Sequence, residues 1–274
     1  MLVHHFLEYY ARNTPELPCL TLGENTSSYG EVNTLSNQIA HGLLALGISR
    51  GQRIAILGEN SLEHLLLFMA ASKIGAVTVS LNYRLAPAEL AFIINDANSR
   101  VLVALDGMED SLTGLRQQID DDITVISHGF ADTLSWNEWV SQYPESSPNI
   151  ESDPQDAYIQ LYTSGTTGNP KGVVSSHFNM LSLVTMNSVA TPHRPSPGMA
   201  TILCAPLFHI GGAGSIAYNI FSGIHTLLHR TFDPTKVVAD MENHPVSNIF
   251  MVPAMIMAVL QMPDIEQRDF SKLK

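Results

Sequence analysis

Apolar and polar positions alternate in two textures along the first hundred residues. Val32, Leu35, Ile39, Leu43 and Leu46 recur at helical spacing and form one stripe. Ser28–Tyr29–Gly30–Glu31 in front of the stripe has the spacing of a capping box, and Gly47 behind it supplies a left-handed stop. Asn60–Ser61–Leu62–Glu63 repeats the capping pattern before a second apolar helix, which Gly75 closes. Between the two lies Arg53–Ile54–Ala55–Ile56–Leu57, a short continuous apolar run of the kind that forms a buried strand. Val77–Leu81 and Val101–Leu105 read the same way and flank a helix over Pro87–Ala97. Strands separated by helices of this length predict βαβ units. The expected fold class is therefore α/β, with mainly parallel sheets covered by helices.

From about Leu134 to Pro154 the texture changes. Ser135–Trp136, Tyr143–Pro144, Ser146–Ser147–Pro148 and Asp153–Pro154 are turn-rich and poorly periodic. This surface connection either divides two subdomains or is a long loop within one domain. Alternation then resumes with a strand over Ala157–Thr163, a Gly/Thr-rich loop, a strand near Gly172–Ser176 and a helix from about Phe178. Further strands are expected at Ala200–Ala205, Ile224–Leu228 and Asn248–Val252. There is no internal repeat at a fixed short period and no low-complexity tract.

Composition narrows the function classes. With 274 residues the chain has room for one large domain or two ordinary ones. Charged residues make up only 15%, against roughly 25% in an average soluble domain, so much of the chain is buried or some surface faces another segment. The balance of 14 Lys and Arg against 26 Asp and Glu gives a net charge of −12. That excludes a general nucleic-acid binder, which needs clustered cations at phosphates. An anionic nucleotide would have to be held by a local device. Cys19 and Cys204 are far apart, with no CxxC, so neither a disulfide framework nor a zinc motif is indicated. Met1–Glu8 lacks the pattern of a signal peptide, and no apolar run approaches the roughly 20 residues that span a bilayer. The expectation is a cytoplasmic protein with no transmembrane segment.

The local device is Tyr162–Thr163–Ser164–Gly165–Thr166–Thr167–Gly168–Asn169–Pro170–Lys171–Gly172. Glycines let the backbone turn sharply and approach a ligand, and successive N–H groups can then form an anion nest. Hydroxyls add donors, and Lys171 adds a mobile positive charge. A Walker A loop is excluded, because Lys171 follows Pro170 rather than Gly and precedes Gly172 rather than Ser or Thr.

The string YTSGTTGNPKG closely resembles the phosphate-binding signature of the adenylate-forming (AMP-binding) superfamily, which includes acyl-CoA synthetases, coumarate-CoA ligases, luciferases and peptide-synthetase adenylation domains. Arg53–Asn60, Leu81–Leu90, Pro206–Leu207–Phe208–His209–Ile210–Gly211–Gly212, Phe232–Asp233–Pro234 and Met251–Ala254 resemble further family segments in the expected order. The resemblance covers essentially the whole chain. It implies that Thr163, Ser164, Gly165, Thr166, Thr167, Gly168 and Lys171 hold the ATP phosphates, with Lys171 and Thr163 stabilising charge as pyrophosphate leaves. It also implies that His209, with Gly211 and Gly212, lines the carboxylate and acyl pocket. The glycines there, Gly214 included, could let substrate or backbone pass closely or could serve helix packing. A histidine at 209, rather than the aspartate usual in amino-acid-activating relatives, argues for a fatty or aryl acid.

The implied reaction uses ATP, Mg2+ and coenzyme A to convert a carboxylic acid, a fatty acid by preference, to an acyl-adenylate and then a thioester. The alternatives are an aryl-CoA ligase and a non-catalytic nucleotide-binding or regulatory protein. The resemblance makes residues 1–274 the N-terminal part of an AMP-binding domain. The family's YG-x-TE segment, its ribose-binding aspartate and its C-terminal domain find no counterpart here. The magnesium ligand is accordingly expected from a segment outside these residues, and the chain alone is expected to be inactive and prone to self-association. His225 and His229 have a metal-compatible i, i+4 spacing, but His225 opens an apparent strand and no metal site is expected.

Overall fold

The computed structural model describes residues 1–163, 169–190 and 195–274. In chain order, α1 (His4–Asn13) is followed by the pair β1 (Pro18–Leu22) and β2 (Asn25–Ser28), then α2 (Tyr29–Ala45) and β3 (Arg53–Leu57). Next come α3 (Leu62–Ile74), β4 (Val77–Leu81), α4 (Pro87–Asp96), β5 (Ser99–Ala104) and α5 (Glu109–Leu115). Then follow β6 (Thr124–Ser127), β7 (Leu134–Ser135), α6 (Trp136–Ser141), β8 (Ala157–Thr163), β9 (Lys171–Ser176) and α7 (His177–Ala190). The last are β10 (Ala200–Leu203), α8 (Ile210–Ser222), β11 (His225–Leu228), α9 (Pro234–Asn243), β12 (Val246–Ile249) and α10 (Pro253–Leu260). No helix among the described residues is long and apolar enough to cross a membrane.

Contacts group the chain into two units. The first comprises Met1–His5, Asn33–Glu59 and Glu63–Leu181, and the second Phe6–Val32, Asn60–Leu62 and Ser182–Lys274. The turn-rich stretch 134–154 lies wholly within the first unit.

The first unit is built on a sheet of order β7-β6-β5-β3-β4-β8-β9, parallel throughout except for the antiparallel edge strand β9. Apolar and small side chains explain the centre. Every residue of β4, and all of β3 but Arg53, is buried, as expected of strands covered on both faces. Leu90, Ile93 and Ile94 of α4 and Leu112 and Leu115 of α5 pack with Leu57, Leu81 and Leu102 in one core. The second unit holds a sheet of order β12-β10-β11-β1-β2, parallel except for the β1–β2 hairpin. Ile202, Leu227, Val237, Val238 and Val246 form its core beneath α9.

Several expectations from the sequence hold at residue level. Ser28 and Glu31 make the full capping box: the Ser28 N–H donates to the Glu31 carboxylate at 2.7 Å, and the Glu31 N–H donates to Ser28 Oγ at 3.2 Å. Gly47, at φ +81°, ends α2 in a Schellman arrangement, with Ile48 N–H on the Leu43 carbonyl and Gly47 N–H on that of Leu44. Gly75, at φ +69°, closes α3.

Three expectations are corrected. Asn60 is no cap for α3. Its buried side chain is committed to residues more than a hundred positions away, as described below. The strand expected over Asn248–Val252 is displaced to Val246–Ile249. Pro253 occupies the first turn of α10, and a residue before proline is driven to extended backbone, so Val252 is the helix's N-cap at φ −81°, ψ 158°. The strand expected over Ala200–Ala205 ends at Leu203, where the chain leaves the sheet for the loop that carries His209.

Candidate functional site

The phosphate-loop sequence is carried between two antiparallel strands of the first unit. Thr163, the last residue of β8, and Lys171, the first of β9, are Cα partners, and one step into the pair Tyr162 faces Gly172. Ser164, Gly165, Thr166, Thr167 and Gly168 lie outside the described residues. The flanks show how the sequence builds the site. Buried Tyr158, Ile159, Gln160 and Leu161 anchor β8, whereas Thr163, Asn169 and Lys171 are exposed. Lys171 makes no ion pair among the described residues, so its ammonium is available to an anion. The carboxyl end of β8, a strand parallel to β4, is where sheets of this kind bind ligands.

Beneath the strand ends runs a polar relay. The Tyr162 hydroxyl donates to Asp96 Oδ2 at 2.6 Å and accepts from Gln160 Nε2 at 3.0 Å. Gln160 Oε1 in turn accepts from Arg53 Nε at 3.3 Å. Burial, reinforced by Asp96, pushes the Tyr162 hydroxyl well above its ordinary range, so it remains a donor. No sequence signal marked Asp96, because the end of α4 meets β8 only in the fold.

In the second unit, β10 and β11 run parallel, so the loops after Leu203 and after Leu228 leave from the same end of the sheet. The first loop carries Pro206–Leu207–Phe208–His209. Asn60, 3% exposed, ties both: its Nδ2 donates to the carbonyls of Ala205 and His229, each at 3.0 Å, and its Oδ1 accepts from Leu207 N–H at 2.8 Å. A buried amide fitted to two acceptors and one donor is specific to asparagine. In sequence an asparagine two residues before a helix has the pattern of a cap, and nothing local marks these distant partners.

His209 is the N-cap residue of α8 at φ −113°, ψ 151°, with no side-chain cap bond. Its exposed ring lies beside buried Phe208, with centroids 4.6 Å apart. The first N–H groups of α8, on Ile210, Gly211 and Gly212, therefore present a helix N-terminus next to an imidazole, a setting that favours a carboxylate. Gly212 has a packing reason: a Cβ there would clash with the Pro206 carbonyl oxygen. At Gly211 a Cβ would meet the Phe250 ring at 2.8 Å.

The remaining candidates have structural partners. His225 Nε2 bonds Thr21 Oγ1 at 2.7 Å, whereas His229 Nε2 lies 2.7 Å from Asp240 Oδ2. The two histidines thus serve separate side-chain partners. Asp233 caps α9 by accepting from Thr235 N–H at 2.9 Å. Cys19 and Cys204 are buried free thiols, and burial pushes Cys204 up to about 11, which removes it as a nucleophile.

The AMP-binding enzyme family profile matches residues 7–274, and the chain belongs to that family. It is 33% identical over 242 residues to the long-chain-fatty-acid–CoA ligase FadD13 of Mycobacterium tuberculosis, covering 88% of this chain and 47% of that protein. It is 29% identical over 266 residues to 4-coumarate–CoA ligase 3 of Arabidopsis thaliana, covering 94% of this chain and 47% of that one. Its fold matches the inhibitor-bound N-terminal domain of FACL13 from Mycobacterium tuberculosis with a TM-score of 0.91 at 30% identity, over 100% of this chain and 68% of that one. ATP-bound MatB from Rhodopseudomonas palustris matches with a TM-score of 0.85 at 25% identity, over 100% of this chain and 54% of that one. The chain spans about half the length of these curated relatives.

Proposed function

We propose that this chain carries the phosphate-binding and carboxylate-recognising part of an ATP-dependent acid–CoA ligase acting on fatty acids. The observation that carries the reading is the Thr163–Lys171 pair: the strand register sets a hydroxyl and an exposed ammonium on the two roots of the YTSGTTGNPKG loop. These residues fit the β- and γ-phosphates of ATP, since an exposed lysine offers three donors and a positive charge to an anion and the threonine hydroxyl can turn its O–H toward it. Attack of a carboxylate on the α-phosphorus sends negative charge toward departing pyrophosphate. Lys171 and Thr163 stabilise that charge where it accumulates. His209 and the α8 N-terminus hold the acid, with Gly211 and Gly212 keeping that helix end close to the loop before it. Mg2+ would be brought with ATP. Coenzyme A is the co-substrate of the second half-reaction.

The fatty-acid preference rests on the similarity to FadD13 and on a histidine at 209 followed by apolar Ile210 and Ala213. An aryl acid is the second reading, favoured by the similarity to 4-coumarate–CoA ligase 3 over a greater share of this chain. ATP–pyrophosphate exchange with Mg2+ and a panel of fatty, aryl and amino acids tests both. Binding of pyrophosphate without acyl-CoA synthesis is the expected behaviour of residues 1–274. Robust thioester turnover by the chain alone would contradict it, and exchange driven by an amino acid would contradict the assignment of His209.

A further inference from the structure

We propose that Asp96 and Tyr162, which lie outside the residues assigned to the phosphates, form a latch that holds β9 in the register placing Lys171 opposite Thr163. The consequence for ligand rests on the phosphate-binding reading above, whereas the latch itself is a property of the first unit.

β9 is an edge strand, and β8 is its single partner in the sheet. Its first four residues are exposed, so little burial holds it in place. Register in such a strand is weakly specified by hydrophobic pattern alone. What specifies it here is the Tyr162–Gly172 pair. A Cβ at Gly172 would lie 2.5 Å from Gln160 Nε2, 2.9 Å from Tyr162 Cζ and 3.0 Å from its hydroxyl oxygen. The ring and the Gln160 amide therefore lie over the glycine, and an aromatic side chain across an edge glycine pins register. A slip of one residue would bring Lys171 or Val173 under the ring, where a side chain fits only if the Tyr162 ring and the Gln160 amide are pushed aside.

The ring is held in turn. Its hydroxyl donates to Asp96, the last residue of α4, at 2.6 Å, and accepts from Gln160, which Arg53 fixes from β3. Arg53 is itself held by the Gly51 carbonyl at 2.8 Å. Asp96 and Tyr162 are thus positioning residues: they act on the phosphate loop through Gly172 and Lys171.

The test uses the 274-residue chain and the variants Tyr162→Phe, Asp96→Ala and Asp96→Asn. Amide hydrogen exchange is followed over 157–163 and 171–176, and pyrophosphate binding with Mg2+ is measured by calorimetry. Tyr162→Phe and Asp96→Ala should each speed exchange in 171–176 and weaken pyrophosphate by about tenfold, the scale of one hydrogen bond to a charged group. Asp96→Asn, whose amide oxygen still accepts from the hydroxyl, should recover most of both. The double variant Tyr162→Phe/Asp96→Ala should be no worse than either single. Because Asp96 is exposed, its variants should lower the urea midpoint by no more than the one lost hydrogen bond, which a general loss of structure would exceed. Wild-type exchange in Tyr162→Phe and Asp96→Ala overturns the proposal, as does Asp96→Asn behaving like Asp96→Ala. If exchange responds as expected but the wild-type chain binds no pyrophosphate, the latch stands and the phosphate-binding reading fails.

Discussion

Thr163 and Lys171, eight positions apart in sequence, stand directly opposite each other where β8 ends and β9 begins. The pairing fixes both roots of the Gly/Thr-rich string, one bearing a hydroxyl and the other an ammonium. Lys171→Met should therefore remove about 2 kcal/mol of pyrophosphate or ATP binding, the scale of a charge-assisted hydrogen bond, and leave stability within about 0.5 kcal/mol, as for other exposed sites. Calorimetric titration beside urea unfolding separates the two, and a matched loss of stability would count against a ligand role for Lys171.

Asn60→Ala should behave in the opposite way. It strands two carbonyls and the Leu207 N–H in a site that is 3% exposed, at a cost of about 2–4 kcal/mol. Chemical denaturation should show a clear drop in midpoint. Asn60→Asp should recover only the Leu207 contact, because a carboxylate cannot donate to the other two oxygens.

The glycines opening α8 are not equivalent. Gly212→Ala drives a Cβ into the Pro206 backbone oxygen, which cannot move aside, whereas at Gly214 the nearest atom is the end of the Leu183 side chain at 3.0 Å. Gly212→Ala should destabilise by about 2 kcal/mol or more, and Gly214→Ala by clearly less. Equal thermal midpoints for the two variants would contradict the packing account.

Acid stability should report buried histidines. His64 is fully buried against Ser80, and burial pushes it down from 6.5 to about 4. Between those values the unfolded chain takes up a proton that the folded chain refuses, so stability is full above about pH 6.5 and falls as pH drops toward 4. His177 and His225 are pushed down to about 4 by the same cause. His64→Gln should flatten this limb by up to about 1.4 kcal/mol per pH unit. Urea unfolding of both proteins at pH 7 and pH 5 measures the difference, and parallel pH dependence would refute the assignment.

α10 is almost wholly apolar in sequence, yet Ile256, Met257 and Leu260 are 40%, 51% and 60% exposed. The chain should self-associate, and Met257→Lys should shift it toward monomer in sedimentation velocity. A wild-type chain that stays monomeric across the accessible concentration range would remove this expectation.

Residues adjacent in sequence settled a definite part of this protein. The short apolar-rich runs determined β3 and β4 to the residue, because strands buried on both faces leave room only for apolar and small side chains, here including Thr78 and Ser80. Ser28 with Glu31, and Gly47, determined both ends of α2, because capping is local chemistry within a few residues. The YTSGTTGNPKG string marked the family by itself. Only the tertiary structure decided that Thr21 would share His225, that Asp96 would meet Tyr162, and that Asn60 would hold the His209 loop instead of capping α3. Those partners are separated by 66 to 204 positions. Which of them meet is set by parallel strand order and register, and a hydrogen-bonding side chain carries no mark in sequence of the distant strand that will supply its partner.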